Sequence, residues 1–255
     1  FLEELIYTEM LPIPSYQVKE NSDEIIMALK EISVVFNKST ENLTFKGKDG
    51  STILQEKAGG RLIGNSMVQG ESTFKVEQHF LSPTDEYIFG TGQFQDGYLN
   101  IKGLTRRLTQ VNTQISIPFI LSNKGYGLLW NNYGLTDFNP ANDFVELKQV
   151  GKTGETLTVD ATSITGNKKE TRSMNTFTAS MDIFSSGRYS LLLDVGQKMA
   201  RKHFLSVDGM NVININNTWL PPTTSVIVDL SAGKHEIMVE GVHNDKPIVY
   251  WRKVS

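Results

Sequence analysis

The chain has 255 residues, 39% of them hydrophobic and 9% aromatic, which is enough apolar material for one or two domains with cores of their own. Its 25 Lys and Arg against 28 Asp and Glu give a formal net charge of −3, and basic groupings such as Lys168-Lys169 and Arg201-Lys202 are too short for a phosphate-binding patch, so nucleic acid is not an expected partner. Cys is absent, which excludes disulfides and thiolate metal sites, and no apolar run approaches the ~18 residues of a membrane helix.

The start, Phe1-Leu2-Glu3-Glu4-Leu5, lacks the basic n-region of a signal peptide and does not begin with Met. Both ends therefore read as cuts in a longer protein. From there, short alternating runs separated by turn residues dominate. Ile32, Val34 and Phe36 share one strand face, Asn37-Lys38-Ser39 turns the chain, and Leu43 and Phe45 follow. Lys48-Asp49-Gly50 is a hairpin signal before Ile53-Leu54. Ile115, Ile117, Phe119 and Leu121 form another alternating strand, and Pro118, which has no amide donor, places it at an edge or a bulge. Asn123-Lys124-Gly125 leads into Tyr126 to Trp130. A linker is expected between Phe138 and Thr156, with Asn139-Pro140 closing the first block and Gly151-Lys152-Thr153-Gly154 as a polar joint.

The second half repeats the style. Tyr189, Leu191 and Leu193 alternate, as do Leu205 with Val207 and Val226 with Val228 and Leu230. Turns are expected at Ser185-Ser186-Gly187, Asp208-Gly209 and Ala232-Gly233-Lys234, and final strands at Ile237 to Val239 and Ile248 to Trp251. No convincing amphipathic helix appears. The fold class is all-β.

Candidate chemistry is sparse. A glycosidase needs two carboxylates facing one pocket, whereas acids such as Asp23-Glu24 and Asp85-Glu86 sit in turns or on solvent faces. There is no Gly-x-Ser-x-Gly elbow, and Gly90-Thr91-Gly92 lacks the Lys and the helix of a phosphate loop. His235 and His243 flank Glu236 and Asp245, a weak pattern for a metal, so neither a metal nor another cofactor is expected. Three glycosylation sequons, at Asn37, Asn42 and Asn216, decide nothing in a chain this rich in Asn, Ser and Thr. The densest stretch is Phe89 to Asn100 with Leu108 to Thr113, where Gly, neutral amides and aromatic rings mix. That is the side-chain kit of a sugar site, and also of an ordered loop capping a sandwich.

This stretch resembles the N-terminal β-sandwich of glycoside hydrolase family 31. The motifs are Gly90-Thr91-Gly92-Gln93, Gln110-Val111-Asn112-Thr113, Ile117-Pro118-Phe119 and Ser122-Asn123-Lys124-Gly125-Tyr126-Gly127-Leu128-Leu129-Trp130-Asn131-Asn132, in the family's order and spacing. Val34 to Glu56 looks like the opening of the same domain, and Gln93 with the Gln-x-Asn strand looks most like the α-xylosidase and α-glucosidase branch of glycan-degrading bacteria. The second half is similar to a protective-antigen-type carbohydrate-binding module, through Gly187-Arg188-Tyr189-Ser190-Leu191-Leu192-Leu193, Leu205-Ser206-Val207-Asp208-Gly209 and Leu230-Ser231-Ala232-Gly233-Lys234-His235-Glu236. It lacks the calcium-binding Asp-Asp pair of the lectin-type members.

The resemblance implies a galactose-mutarotase-like β-sandwich over residues 1–148 and a jelly-roll-like sandwich module over 149–255. It implies a non-catalytic accessory region of a secreted α-glycosidase, periplasmic or extracellular, whose catalytic residues are Asp on a (β/α)₈ barrel that follows; no catalytic residue is assigned here. The expected partners are an oligo- or polysaccharide and that barrel, with no nucleic acid and no membrane. Gln110, Asn112 and Thr113 match a loop at the barrel mouth near the substrate, although some family members have Asp where Asn112 stands. Trp219, Tyr250 and Trp251 are the aromatic candidates for stacking on glycan, with Trp251 expected to be the more buried. Two other readings stay open, a free-standing carbohydrate-binding or adhesin-like protein and a structural module without a glycan ligand. A sandwich face meant for the barrel would also make the chain self-associate.

Overall fold

The computed structural model describes residues 12–132, 134–163, 166–196, 202–215, 222–242 and 246–254, with the backbone alone over 152–163, 166–168, 170–174 and 242. Every regular element there is a strand. In chain order the first are β1 (Gln17–Glu20), β2 (Glu24–Ala28), β3 (Ile32–Asn37), β4 (Leu43–Gly47), β5 (Thr52–Val68), β6 (Glu71–Leu81) and β7 (Ile88–Gln93). Next come β8 (Arg106–Leu108), β9 (Ile115–Ser122), β10 (Gly127–Leu129), β11 (Thr136–Phe138), β12 (Asp143–Glu146) and β13 (Lys148–Ser163). The last are β14 (Gly166–Ile183), β15 (Gly187–Asp194), β16 (His203–Val207), β17 (Met210–Ile215), β18 (Thr223–Leu230), β19 (Gly233–Val242) and β20 (Ile248–Lys253).

The chain forms two compact units, one of Phe1–Ile88 with Leu121–Leu128, the other of Phe89–Ile120 with Leu129–Ser255. In unit 1, β1 to β6 make an antiparallel meander in sequence order, which the alternation of Ile32, Val34 and Phe36 and the hairpin signal at Asp49-Gly50 anticipate. Gly50 has φ +81, the left-handed conformation that a Gly adopts without steric cost. Glu56 is buried and accepts from the Leu43 amide at 2.9 Å and from Arg61 at 2.6 Å, while Asn42 donates to the Glu56 carbonyl. Beyond that anchor the β5–β6 ribbon exposes apolar side chains on both faces, more of them on one. Ile63, Met67, Phe74 and Val76 share one face by register and are exposed, while Leu62 and Val68 stand with Glu71, Lys75 and Glu77 on the other.

Unit 1 also buries Glu86, 2% exposed, which accepts hydrogen bonds from Ser82, Ser122 and Tyr126 at 2.5–2.7 Å. Asn123 adds a bond to the Tyr87 amide at 2.8 Å. The Ser122-to-Tyr126 part of the recognised motif is thus an anchor for a hairpin turn. Burial, and then the Glu86 carboxylate beside it, push the Tyr126 hydroxyl above its ordinary pKa.

In unit 2 two sheets, β12–β20–β15–β18 and β13–β14–β19–β16–β17, share one core. Leu191, Leu193, Val249 and Trp251 face Met181, Leu205, Ile237 and Val239, all at most 8% exposed. The Asp208-Gly209 turn is the tight hairpin expected, with φ +49 and +79. Its carboxylate also fastens a second turn: Asp208 accepts from the Glu236 amide at 2.9 Å and meets His235 Nδ1 at 2.6 Å, while His235 Nε2 lies 2.9 Å from the Ser231 carbonyl. The "V-D-G" and "A-G-x-H" motifs therefore form one contact. The Ser231 carbonyl and then Asp208 hold the His235 pKa above its ordinary value. His235, with the Asp208 carboxylate, is committed to this contact, not to a metal, and no metal-holding cluster occurs among the described residues. His243 and Asp245 lie outside them.

Three expectations are corrected. Glu86, expected in a turn or on a solvent face, is buried because Ser82, Ser122 and Tyr126 satisfy its carboxylate. The stretch expected to be a linker is strand: β12 pairs with β20 and β13 pairs with β14, and the Gly-bearing segment is absorbed as irregularities in register between Gln149 and Gly151 and between Lys152 and Thr156. Pro118 does not mark an edge either, since β9 is the middle strand of the sheet β10–β9–β7. In an antiparallel pair the amide and carbonyl of one residue face the same neighbour. The Pro118 carbonyl accepts from the Trp130 amide at 2.8 Å, and the Trp130 carbonyl, which a donor at position 118 would have met, accepts from the Asn132 amide at 2.9 Å. The missing donor leaves no acceptor stranded.

Candidate loop site

The Gln110–Thr113 segment is the tip of a tight turn in unit 2. Val111 and Gln114 exchange both backbone hydrogen bonds at 3.2 Å, leaving Asn112-Thr113 as the two turn residues. Gln110 and Asn112 are exposed, and Thr113 is half-buried. Side chains brace the turn from below. Gln95 Nε2 donates to the Thr113 carbonyl at 3.2 Å, and Gln114, itself buried, donates to the Thr109 carbonyl at 2.8 Å. The tip is held by its neighbours and shows its amides outward.

The brace rests on a buried ion pair. Arg106, 3% exposed, makes two hydrogen bonds to Asp96, 7% exposed, at 2.6 and 2.8 Å. A third bond runs from Arg106 to Thr91 Oγ1 at 2.8 Å, and the guanidinium lies 4.4 Å from the centre of the Phe94 ring. This geometry explains the Gly-Thr-Gly motif. Gly90, Thr91 and Gly92 have φ of +113, +63 and +103, and a Cβ at Gly92 would sit 2.1 Å from the Ile115 carbonyl oxygen. Glycine is required there by close backbone approach. A left-handed β-branched residue is strained, and here it is Thr91, buried and tied to Arg106.

Residues 94–108 pack on the outer face of the sheet β12–β20–β15–β18. The Thr105 amide donates to Ser190 Oγ at 2.8 Å, Ser225 Oγ donates to the Thr105 carbonyl, and the Ile227 amide donates to the Tyr98 hydroxyl at 2.8 Å. Ile101 and Leu104 are fully buried. Asn139 closes the far side, its side chain donating to the Leu104 carbonyl and its own carbonyl accepting from Thr105 Oγ1. Phe94, Gln95, Gln114 and Thr223 to Ser225 line a narrow cleft beside the tip, with about 20 Å³ of free space, the room of one or two waters. A sugar ring does not enter it. What the site offers is the outward tip.

The sequence model of the glycosyl hydrolase 31 N-terminal galactose mutarotase-like domain matches residues 6–139, just over half of the chain. The chain belongs to this family. Relatives include the α-xylosidase of Saccharolobus solfataricus, 36% identical over 120 residues, and α-xylosidase A of Aspergillus niger, 41% identical over 58. The matches cover 44% of this chain and 16% of the former protein, and 23% and 8% for the latter. A crystal structure of a family 31 α-xylosidase from Xanthomonas citri has the same fold over 94% of this chain and 30% of its own, with a TM-score of 0.71 at 23% identity. The chain thus spans less than a third of each of these proteins.

Within this family 31 N-terminal chain, Gln110, Asn112 and Thr113 come together at one tip. The aromatic candidates do not gather. Trp251 is 8% exposed and packs in the core, so it has no free face for a sugar. Tyr250 is half-buried, between the Arg107 guanidinium, 5.4 Å from its ring centre, and the Phe144 ring at 5.8 Å. Trp219 lies outside the described residues. Sequence reasoning missed Arg106 and Asp96, whose opposite charges ten residues apart in a Gly-rich loop were the available signal, and it missed Phe144.

Proposed function

We propose that the chain is the non-catalytic N-terminal accessory region of a secreted family 31 α-glycosidase of the α-xylosidase or α-glucosidase type. In this reading it packs on a catalytic barrel encoded further along, and the Gln110–Thr113 tip lies at the mouth of the substrate pocket. The second half is an inserted protective-antigen-type module over 149–255 that holds oligo- or polysaccharide near the barrel. The intact enzyme acts outside the cytoplasm, in the periplasm or beyond. The observation that carries the reading is the family match over residues 6–139 together with α-xylosidase relatives that align with the same part of the chain. Catalysis then belongs to the barrel, as the charge distribution favours: the buried carboxylates Glu56, Glu86 and Asp96 each serve a structural hydrogen-bond set.

The test is twofold. The reading frame beyond Ser255 should encode a long α/β region, and the purified 255-residue chain should hydrolyse neither p-nitrophenyl α-xyloside nor p-nitrophenyl α-glucoside. The intact enzyme should lose turnover when Asn112 is changed to Ala. A stop codon directly after Ser255, or turnover by rigorously pure chain, refutes the reading. Tight glycan binding by a natural chain ending at Ser255 would establish the free-standing binding protein instead.

A further inference from the structure

We propose that Phe144 is the stacking ring of a carbohydrate site on the surface of unit 2, taking the C–H face of a neutral pyranose while Asn142, Glu146 and Arg252 meet its hydroxyls. The proposal rests on the carbohydrate-handling role above and gives it a place on the molecule.

Phe144 is 61% exposed on β12, the edge strand of its sheet. Alternation along this strand turns Val145 toward the core and Phe144 out, so packing among the described residues does not explain a large aromatic here. Register sets it directly opposite Tyr250, and the two rings lie 5.8 Å apart at 37°. Tyr250 is itself fixed. Arg107 lies over its ring and is held by Asp137 at 3.0 Å and by Asp194 at 3.0 Å. A ring supported from behind by a clamped neighbour presents its outer side at little entropic cost, which is the requirement for stacking.

Polar groups border this ring on the same face. Glu146 lies two residues along β12, and Arg252 lies two along β20 from Tyr250, across from exposed Asn142. Arg252 Nε is buried with no hydrogen-bond partner, and the guanidinium otherwise reaches the Pro140 carbonyl at 3.4 Å. A carboxylate, an amide and a guanidinium around one ring supply acceptors and donors with no net excess of charge. That combination suits hydroxyls rather than a phosphate or an acidic polymer. Phe184, 93% exposed at the turn before β15, serves as a comparison ring elsewhere on the unit.

The probes are xyloglucan oligosaccharides and maltoheptaose, titrated into the 255-residue chain by calorimetry and by amide NMR. Phe144→Ala should weaken binding at least about fivefold with an unchanged circular dichroism spectrum, while Phe144→Trp keeps or tightens it and Phe184→Ala leaves it unchanged. Binding of neither probe at millimolar concentration overturns the proposal, as does wild-type affinity in Phe144→Ala. So does a Phe144→Ala chain that loses only self-association in sedimentation, which would make this face a contact between copies. Wild-type affinity in Phe144→Ala leaves the accessory-region reading intact, and absence of all binding removes only its glycan-holding part, because the rest is judged by the reading frame beyond Ser255 and by the catalytic assays.

Discussion

Replacing Asp96 by Ala should be among the most damaging single changes in unit 2. The substitution removes both hydrogen bonds to Arg106, at 2.6 and 2.8 Å, and leaves a guanidinium only 3% exposed. The groups that remain are Thr91 Oγ1 at 2.8 Å, the Gly90 carbonyl at 3.3 Å and the Phe94 ring. None of them carries a charge. Breaking a buried pair by deleting one partner costs about 3–5 kcal/mol, because the survivor stays desolvated without compensation. That is a large part of the roughly 5–15 kcal/mol by which a domain is stable. By contrast, Lys48 and Glu31 sit 3.6 Å apart with both side chains more than 60% exposed, and Lys48→Ala should change stability by less than about 0.5 kcal/mol.

Urea unfolding followed by tryptophan fluorescence is the natural assay. Trp130 and Trp251 belong to unit 2, and the sequence of unit 1 contains no Trp, so the signal reports unit 2. Removing both charges, in Asp96→Leu with Arg106→Met, should recover part of the loss, since no charge is then stranded. A loss below about 1 kcal/mol for Asp96→Ala, or a double variant that loses the sum of the two singles, would refute the reasoning.

Three further outcomes follow from the same geometry. The His235 pKa is raised above 6.5 and that of Asp208 lowered below 3.8, so their contact contributes fully between those values, fades as pH rises through the folded His235 pKa, and fades again as pH falls through that of Asp208; His235→Gln should flatten the plot of unit 2 melting temperature against pH. Gly92→Ala should cost about 3 kcal/mol or more, for its Cβ would lie 2.1 Å from a carbonyl oxygen, whereas Gly97→Ala, with φ +80 and open space, should cost about 1 kcal/mol in the same urea titration. Tyr126→Phe removes a 2.7 Å hydrogen bond to buried Glu86 and should destabilise unit 1 by about 1–3 kcal/mol, read by amide exchange of β2 to β4.

Much of the fold was legible because it follows period-two alternation and turn chemistry. Ile32 to Phe36, Tyr189 to Leu193 and Val226 to Leu230 are strands as their alternation predicts, although the buried residue of the first is Val35 and both faces of the second are covered, and Asp49-Gly50 and Asp208-Gly209 supply left-handed turns. The long ribbons β5–β6 and β13–β14 were not legible. Gly59, Gly60 and Gly64 interrupt the first, and Thr, Lys and Gly crowd β13 and the start of β14, where buried apolar residues appear only from Phe177 onward among the described side chains. Pro118 misled because a residue without a donor forbids a central strand only when an acceptor waits opposite, and that depends on Asn132, fourteen positions away. At the candidate site, the tip residues were named through resemblance, which transfers positions. The brace beneath them is a matter of which charges meet, and a linear chain does not display that.

The second half cannot be regarded as a bead attached to an otherwise complete sandwich. Thr105 is bonded at its amide to Ser190 and at its carbonyl to Ser225, and Tyr98 accepts from Ile227, so the segment that leads to the Gln110–Thr113 tip is laid across β15 and β18. Arg107 continues the same attachment through Asp194. These are buried or half-buried polar groups, whose loss costs the desolvation of every partner left behind. Arg106, which holds Asp96 beneath the turn, directly follows Thr105 in this attached segment. Sugar held at Phe144 and the segment that sets the tip would share the outer face of one sheet.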